Sequence, residues 1–178
     1  MSKIVLPILL LLSFNLQAEI YFELDLEGGG DTLIGTTSGQ DINVGGGVKF
    51  AAGVVNQVGD NGESLSLSLG YMFDNIDAIN GTAEIDTLTF DAIYSIQRDR
   101  HRFGIGASYH MGPTYEDDIF GFSPLKFEFD DALGLILQYG YAAFPGFYIG
   151  ARFTEMDYEV SGLSLDASSF GIFLSNGF

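Results

Sequence analysis

From residue 19 onward the chain alternates apolar and polar side chains with period two, which predicts strands with two unlike faces rather than helices. The first strand sets Ile20, Phe22, Leu24 and Leu26 against Tyr21, Glu23, Asp25 and Glu27. A second sets Ile42, Val44, Val48, Phe50, Ala52 and Val54 against Asn43, Lys49 and several glycines. The third, Leu65 to Phe73 against Ser64, Ser66, Ser68 and Gly70, is the cleanest. Five more follow, centred on Leu88–Tyr94, Phe103–Met111, Leu133–Tyr141, Phe147–Phe153 and Phe170–Phe178. Ile93, Ile136 and Phe173 fall on the polar faces and Asn176 on an apolar one.

An even number of strands suits a closed antiparallel barrel. The connections alternate as well. Residues 56–63, 97–100 and 142–146 are short, whereas 28–41, 74–84, 112–126 and 159–166 are longer or more polar. Transmembrane barrels combine short turns at one end with long loops at the other. The expectation is an all-β fold: an eight-stranded antiparallel up-and-down transmembrane β-barrel.

The apolar faces of all eight strands lack charge, while the opposite faces carry Glu23, Asp25, Glu27, Lys49, Asp91, Arg102 and Arg152. A charge in hydrocarbon costs about 2–4 kcal/mol at mid-depth, so this segregation turns the apolar faces to lipid. Aromatic residues gather at the ends of the apolar bands. Tyr94, Phe103, Tyr139, Tyr141, Phe147 and Phe178 form one girdle, and Tyr71, Phe73, Tyr109, Phe127 and Phe129 the other. Amphipathic rings favour the headgroup level.

Lys3, the apolar run from Ile4 to Phe14 and the small residue Ala18 predict a cleaved signal peptide over 1–18, leaving the barrel over 19–178. That run is shorter than the roughly 20 apolar residues a spanning helix needs. There is no cysteine, which removes disulfides, thiolate metal sites and cysteine nucleophiles. The formal net charge of −17 excludes nucleic acid as a partner, because phosphate binding requires clustered cations. With 47% hydrophobic residues the chain is nonetheless not a solvated acidic tail.

Residues 165–178, with Phe170, Ile172, Leu174 and a terminal Phe178 at alternate positions, resemble the last strand of the small OmpA/OmpX-type outer-membrane barrels. Asn176 departs from that pattern. The resemblance implies an outer-membrane address, export through the periplasm, and recognition of these four residues by the barrel-assembly machinery. It also implies outer-membrane lipid and lipopolysaccharide as surroundings. The expected assembly is a monomer.

Inward-facing acids and bases on neighbouring strands predict a lumen charge network. Lys49 would lie beside the Glu23, Asp25 and Glu27 row, Arg102 beside the Asp91 strand, and Arg152 near Glu128 or Asp130. An eight-stranded barrel is just wide enough to be filled by side chains, so the network reads as an ionic plug. The function expected is structural or surface-interacting, with acidic loops outside. A narrow cation-preferring channel using Glu23, Asp25 and Glu27 is the alternative. A lipid-modifying enzyme would rest on Ser108 and His110, two residues apart on one face. A soluble lipocalin-like carrier would require the barrel inside out. No catalytic residue, metal or cofactor is assigned. The acidic run Glu116–Asp118 lacks calcium-loop spacing, and neither Gly28–Gly30 nor Gly45–Gly47 opens a helix as a phosphate cradle does.

Overall fold

A computed structural model describes residues 18–35, 41–78, 81–118 and 125–176. The signal segment before Ala18 and the terminal Phe178 lie outside the described residues.

Thirteen strands form among the described residues: β1 (Glu19–Gly28), β2 (Thr32–Gly35), β3 (Asp41–Asn43), β4 (Gly47–Gln57), β5 (Glu63–Ala78), β6 (Gly81–Arg98), β7 (His101–Asp117), β8 (Leu125–Glu128), β9 (Ala132–Phe144), β10 (Phe147–Glu155), β11 (Asp157–Val160), β12 (Leu163–Asp166) and β13 (Ser169–Asn176). Eight of them, β1, β4, β5, β6, β7, β9, β10 and β13, pair antiparallel in succession, and β13 returns to β1 to close the barrel. Closure leaves no unpaired edge, the condition for a sheet to sit in lipid. At the seam the side-chain Oδ1 of Asn176 accepts the Phe22 amide at 2.7 Å. The residue that breaks the apolar pattern of the last strand thus ties the two end strands together.

The alternation determines what faces out. Leu133, Leu135 and Leu137 are 71%, 61% and 53% exposed, and Ile20, Phe22, Phe50, Phe103, Ile105, Phe170 and Ile172 also project outward. The intervening positions Glu23, Asp25, Lys49, Asp91, Arg102, Gln138 and Arg152 are buried. So continuous an apolar belt would be an aggregation surface in water, whereas in a bilayer it is the solvated face. This is a membrane-spanning barrel with a charged interior, the reverse of a soluble carrier.

The barrel also rises beyond this belt, and here several expectations are corrected. Residues 74–84 and 112–126 were expected to be loops. Instead β5 and β6 stay paired to Ala78 and Gly81, and β7 runs to Asp117 and pairs with β8. At 16, 18 and 17 residues, β5, β6 and β7 exceed the 9–11 or so that a tilted strand needs to span. The stretches 28–41 and 159–166 contain the short hairpins β2–β3 and β11–β12. Ile42 and Val44 do not belong to the second spanning strand. They are fully buried, because the chain breaks at Gly45–Gly46 before β4 begins. Phe129 and Phe127 do not join a lipid girdle either: Phe129 is 2% exposed, and Phe127 packs against the same buried cluster.

A bulge accounts for part of this. Gly112 has φ of +53° and sits where the β6–β7 register shifts between Asp86 and Leu88. One extra residue reverses which face each later side chain takes. Tyr109 and Met111 therefore turn toward lipid, while Pro113 and Tyr115 turn inward.

Candidate functional site: a lumen closed at two levels

The lower level is ionic. Arg152 on β10 lies directly opposite Gln138 on β9 and donates to it at 2.9 Å. Its Nη2 reaches Glu23 at 2.7 Å and its Nη1 reaches Asp25 at 2.7 Å, with Asp91 at 3.5 Å. Lys49, the cross-strand partner of Asp25, pairs with it at 2.8 Å, with Asp91 at 3.2 Å and with Glu27 at 3.3 Å. Ser108, opposite Asp91 on β7, donates to it at 2.5 Å, and Ser169 donates to Glu27 at 2.5 Å.

The barrel brings residues from seven strands into this knot. β13 separates β10 from β1, yet Arg152 spans it because β13 presents Gly171 opposite Arg152. Phe173, 1% exposed, backs the guanidinium at 5.6 Å. Its ring occupies the space where a Cβ on Gly150 would fall, 2.5 Å away, so only glycine fits there.

One expected partnership is corrected. Arg152 does not meet Glu128 or Asp130. Glu128 belongs to β8, paired with the extension of β7 beyond the knot, and both acids are exposed. Arg102 stands on β7, beside the strand of Asp91 as expected; it donates to Ser175 at 3.2 Å and stacks on the Tyr148 ring at 4.1 Å, nearer the short-turn end. Tyr148 in turn donates to Gln97 at 2.7 Å. Ser108 and His110 are engaged separately, since His110 Nδ1 is bonded to the Tyr158 hydroxyl at 2.5 Å while Ser108 serves Asp91.

The upper level is apolar, and the sequence reading did not identify it. Ile42, Val44, Ile76, Ile85, Tyr115, Phe129, Met156, Tyr158 and Ala167 form one buried cluster inside the raised rim. The strand extensions supply the walls and the β2–β3 and β11–β12 segments fold over the top. Backbone bonds hold these segments together, from Asp31 to Asp166 at 2.7 Å and from Asp130 to Glu159 at 2.8 Å. Tyr158, 1% exposed, joins the levels by touching Phe129 above and His110 below.

Outside the rim, acidic residues dominate. Beyond the lipid belt at the long-loop end, Lys126 is the single base among the described residues. It pairs with Glu116, and that bond raises the affinity of its amine for a proton. Asp118 accepts the Thr82 amide at 2.5 Å, and Asp117 accepts the Tyr115 hydroxyl at 3.3 Å. The run Glu116–Asp118 is thus dispersed among separate partners, and no group of metal-ligating side chains converges among the described residues.

With closure, strand number and lipid face in hand, solved structures give the comparison. The attachment invasion locus protein Ail of Yersinia pestis, solved with the heparin analogue sucrose octasulfate, matches at a TM-score of 0.54 and 8% identity, over 89% of this chain and 97% of that one. Neisserial surface protein A matches at 0.54 and 12% identity, over 90% and 99%. The fold is that of a small outer-membrane β-barrel. At such identities the likeness carries the fold alone. No family model and no curated protein matches the chain in sequence. In this barrel Phe170, Ile172 and Leu174 of the last strand project toward lipid, at 62%, 53% and 37% exposure.

Proposed function

We propose that this chain is a monomeric outer-membrane barrel with a sealed lumen that works at its outer surface, in a structural or surface-interacting role. The observation that carries the reading is the double closure: the Lys49–Arg152 knot fills the lumen and an apolar cluster caps it. A conduit would need a continuous wet path, and a packed apolar layer removes it. Support for a surface role comes from the raised rim, longer than membrane crossing requires. Its acidity disfavours a polysulfated partner of the kind seen with Ail and favours cations or basic groups. Lipopolysaccharide and outer-membrane lipid surround the belt. Phe170, Ile172, Leu174 and Phe178 serve the assembly machinery. A leader over 1–18 is removed on export.

The alternative is a narrow cation channel. What favours it is the surplus of acid in the knot: Glu23, Asp25, Glu27 and Asp91 share Lys49 and Arg152. Planar-bilayer recording of the reconstituted chain separates the two. Silence is expected. Discrete steps abolished in Glu23→Gln and Asp25→Asn would overturn the sealed lumen in favour of the channel.

A further inference from the structure

Above the lipid belt, on the outward face of the β5–β6 hairpin, lies a cavity of about 290 Å³ lined by Tyr71, Phe73, Asp74, Asn75, Glu84 and Asp86. Its floor is aromatic. Tyr71 and Phe73 stack at 5.8 Å, and Phe50 continues the stack from β4 at 6.4 Å. Its roof is anionic. Phe73 and Asp86 are direct cross-strand partners, as are Asn75 and Glu84. The Tyr71 hydroxyl donates to Asp86 at 2.7 Å and fixes that carboxylate beside the rings.

The surrounding charge is unbalanced. Glu84 lies directly opposite Glu116 on β7, and like charges in that relation destabilise a sheet unless a cation intervenes. Lys126 is the base on this face, and it sits on Glu116. Glu84 and Asp86, on the outward face of β6, remain around the cavity. Leu88, one pair below Asp86 on the outward face and 42% exposed, marks the edge of the lipid belt. The cavity therefore stands at headgroup level.

Carboxylates alone would suit any cation. A ring floor adds selectivity, because an ammonium carrying carbon gains cation–π attraction and apolar contact together with its ion pair. A hydrated magnesium ion gains the charge term only and gives up its water reluctantly. We propose that this cavity binds an alkylammonium group, whether free or as the headgroup amine of a lipid. The outer-membrane reading above supplies only the level at which the cavity stands. Binding of a soluble cation does not depend on whether the lumen conducts.

The test uses the chain folded in uncharged detergent micelles and titrated with ethylammonium chloride while backbone amide resonances are followed. The expected result is a saturable shift confined to residues 71–75 and 84–88. Phe73→Leu and Asp86→Asn should each weaken it about tenfold, with Glu84→Gln as a further variant and Asp157→Asn as the remote control. Retention of the mobility shift on boiling verifies that each variant is folded. Equal shifts from sodium or magnesium at matched ionic strength, shifts spread over the distant acids, or undiminished binding in the folded variants would overturn the proposal. Nanodiscs of phosphatidylglycerol with and without phosphatidylethanolamine separate the sources. The same shifts on adding the amine lipid assign a lipid headgroup, and shifts with ethylammonium alone assign a free ligand.

Discussion

Arg152 carries more of the interior than any other side chain: it holds Glu23, Asp25 and Gln138 at hydrogen-bond distance and is 1% exposed. Removing one partner of a buried ion pair leaves its counter-charges stranded and costs about 3–5 kcal/mol. Arg152→Met, close in volume, should lower the urea midpoint of the folded barrel accordingly. An unchanged midpoint would mean that water screens the knot and the lumen is open. The acids and bases of this network could be listed from their alternation alone, but their pairing could not. Arg152 finds Glu23 and Asp25 across an intervening strand because β13 places Gly171 in its path, a relation that depends on register. Phe129 was misread for a similar reason: its ring looks like a girdle residue until the paired rim encloses it.

At the scale of elements, the spanning strands were legible because lipid demands an uncharged face and the interior accepts charge. The rim was not. Above the membrane the outward face meets water, so Asn75, Asp77, Glu84 and Asp86 carry the polarity of a loop while their backbones stay paired. The Gly112 bulge then exchanges faces within β7, so one alternating pattern cannot describe the whole strand. The two hairpins over the top are tied through Asp166. Its backbone carbonyl accepts the Asp31 amide at 2.7 Å, and its carboxylate accepts the Ser168 amide at 2.8 Å. The Ser168 bond holds that carboxyl below the ordinary carboxylate range. A lowered folded-state value contributes stability above the unfolded value, near 3.9 or so, which is lost as pH falls through the folded one. Amide exchange at Asp31 and Ser168 should therefore lose protection below about pH 4, and Asp166→Asn should remove that dependence. Protection unchanged on acidification would show that the clamp is held by the backbone alone.

For the molecule as a whole, the decisive physical choice is which face of the barrel meets hydrocarbon. Leu135 projects from the lipid-facing run Leu133–Leu137 of β9 at 61% exposure. If that face is in lipid, Leu135→Arg should cost about 2–4 kcal/mol when folding into vesicles is followed in urea. In a water-soluble barrel the same exposed substitution would be close to neutral. The lipid face, the charged interior and the raised acidic rim are the three features on which the proposed surface role rests.

The most direct test is fractionation of cells expressing the chain, followed by gel electrophoresis with and without boiling. Recovery in the outer-membrane fraction, with a band that changes mobility on boiling, is the expected result. A soluble periplasmic band with no such shift would contradict the lipid-facing barrel and turn its apolar surface into something else's binding face.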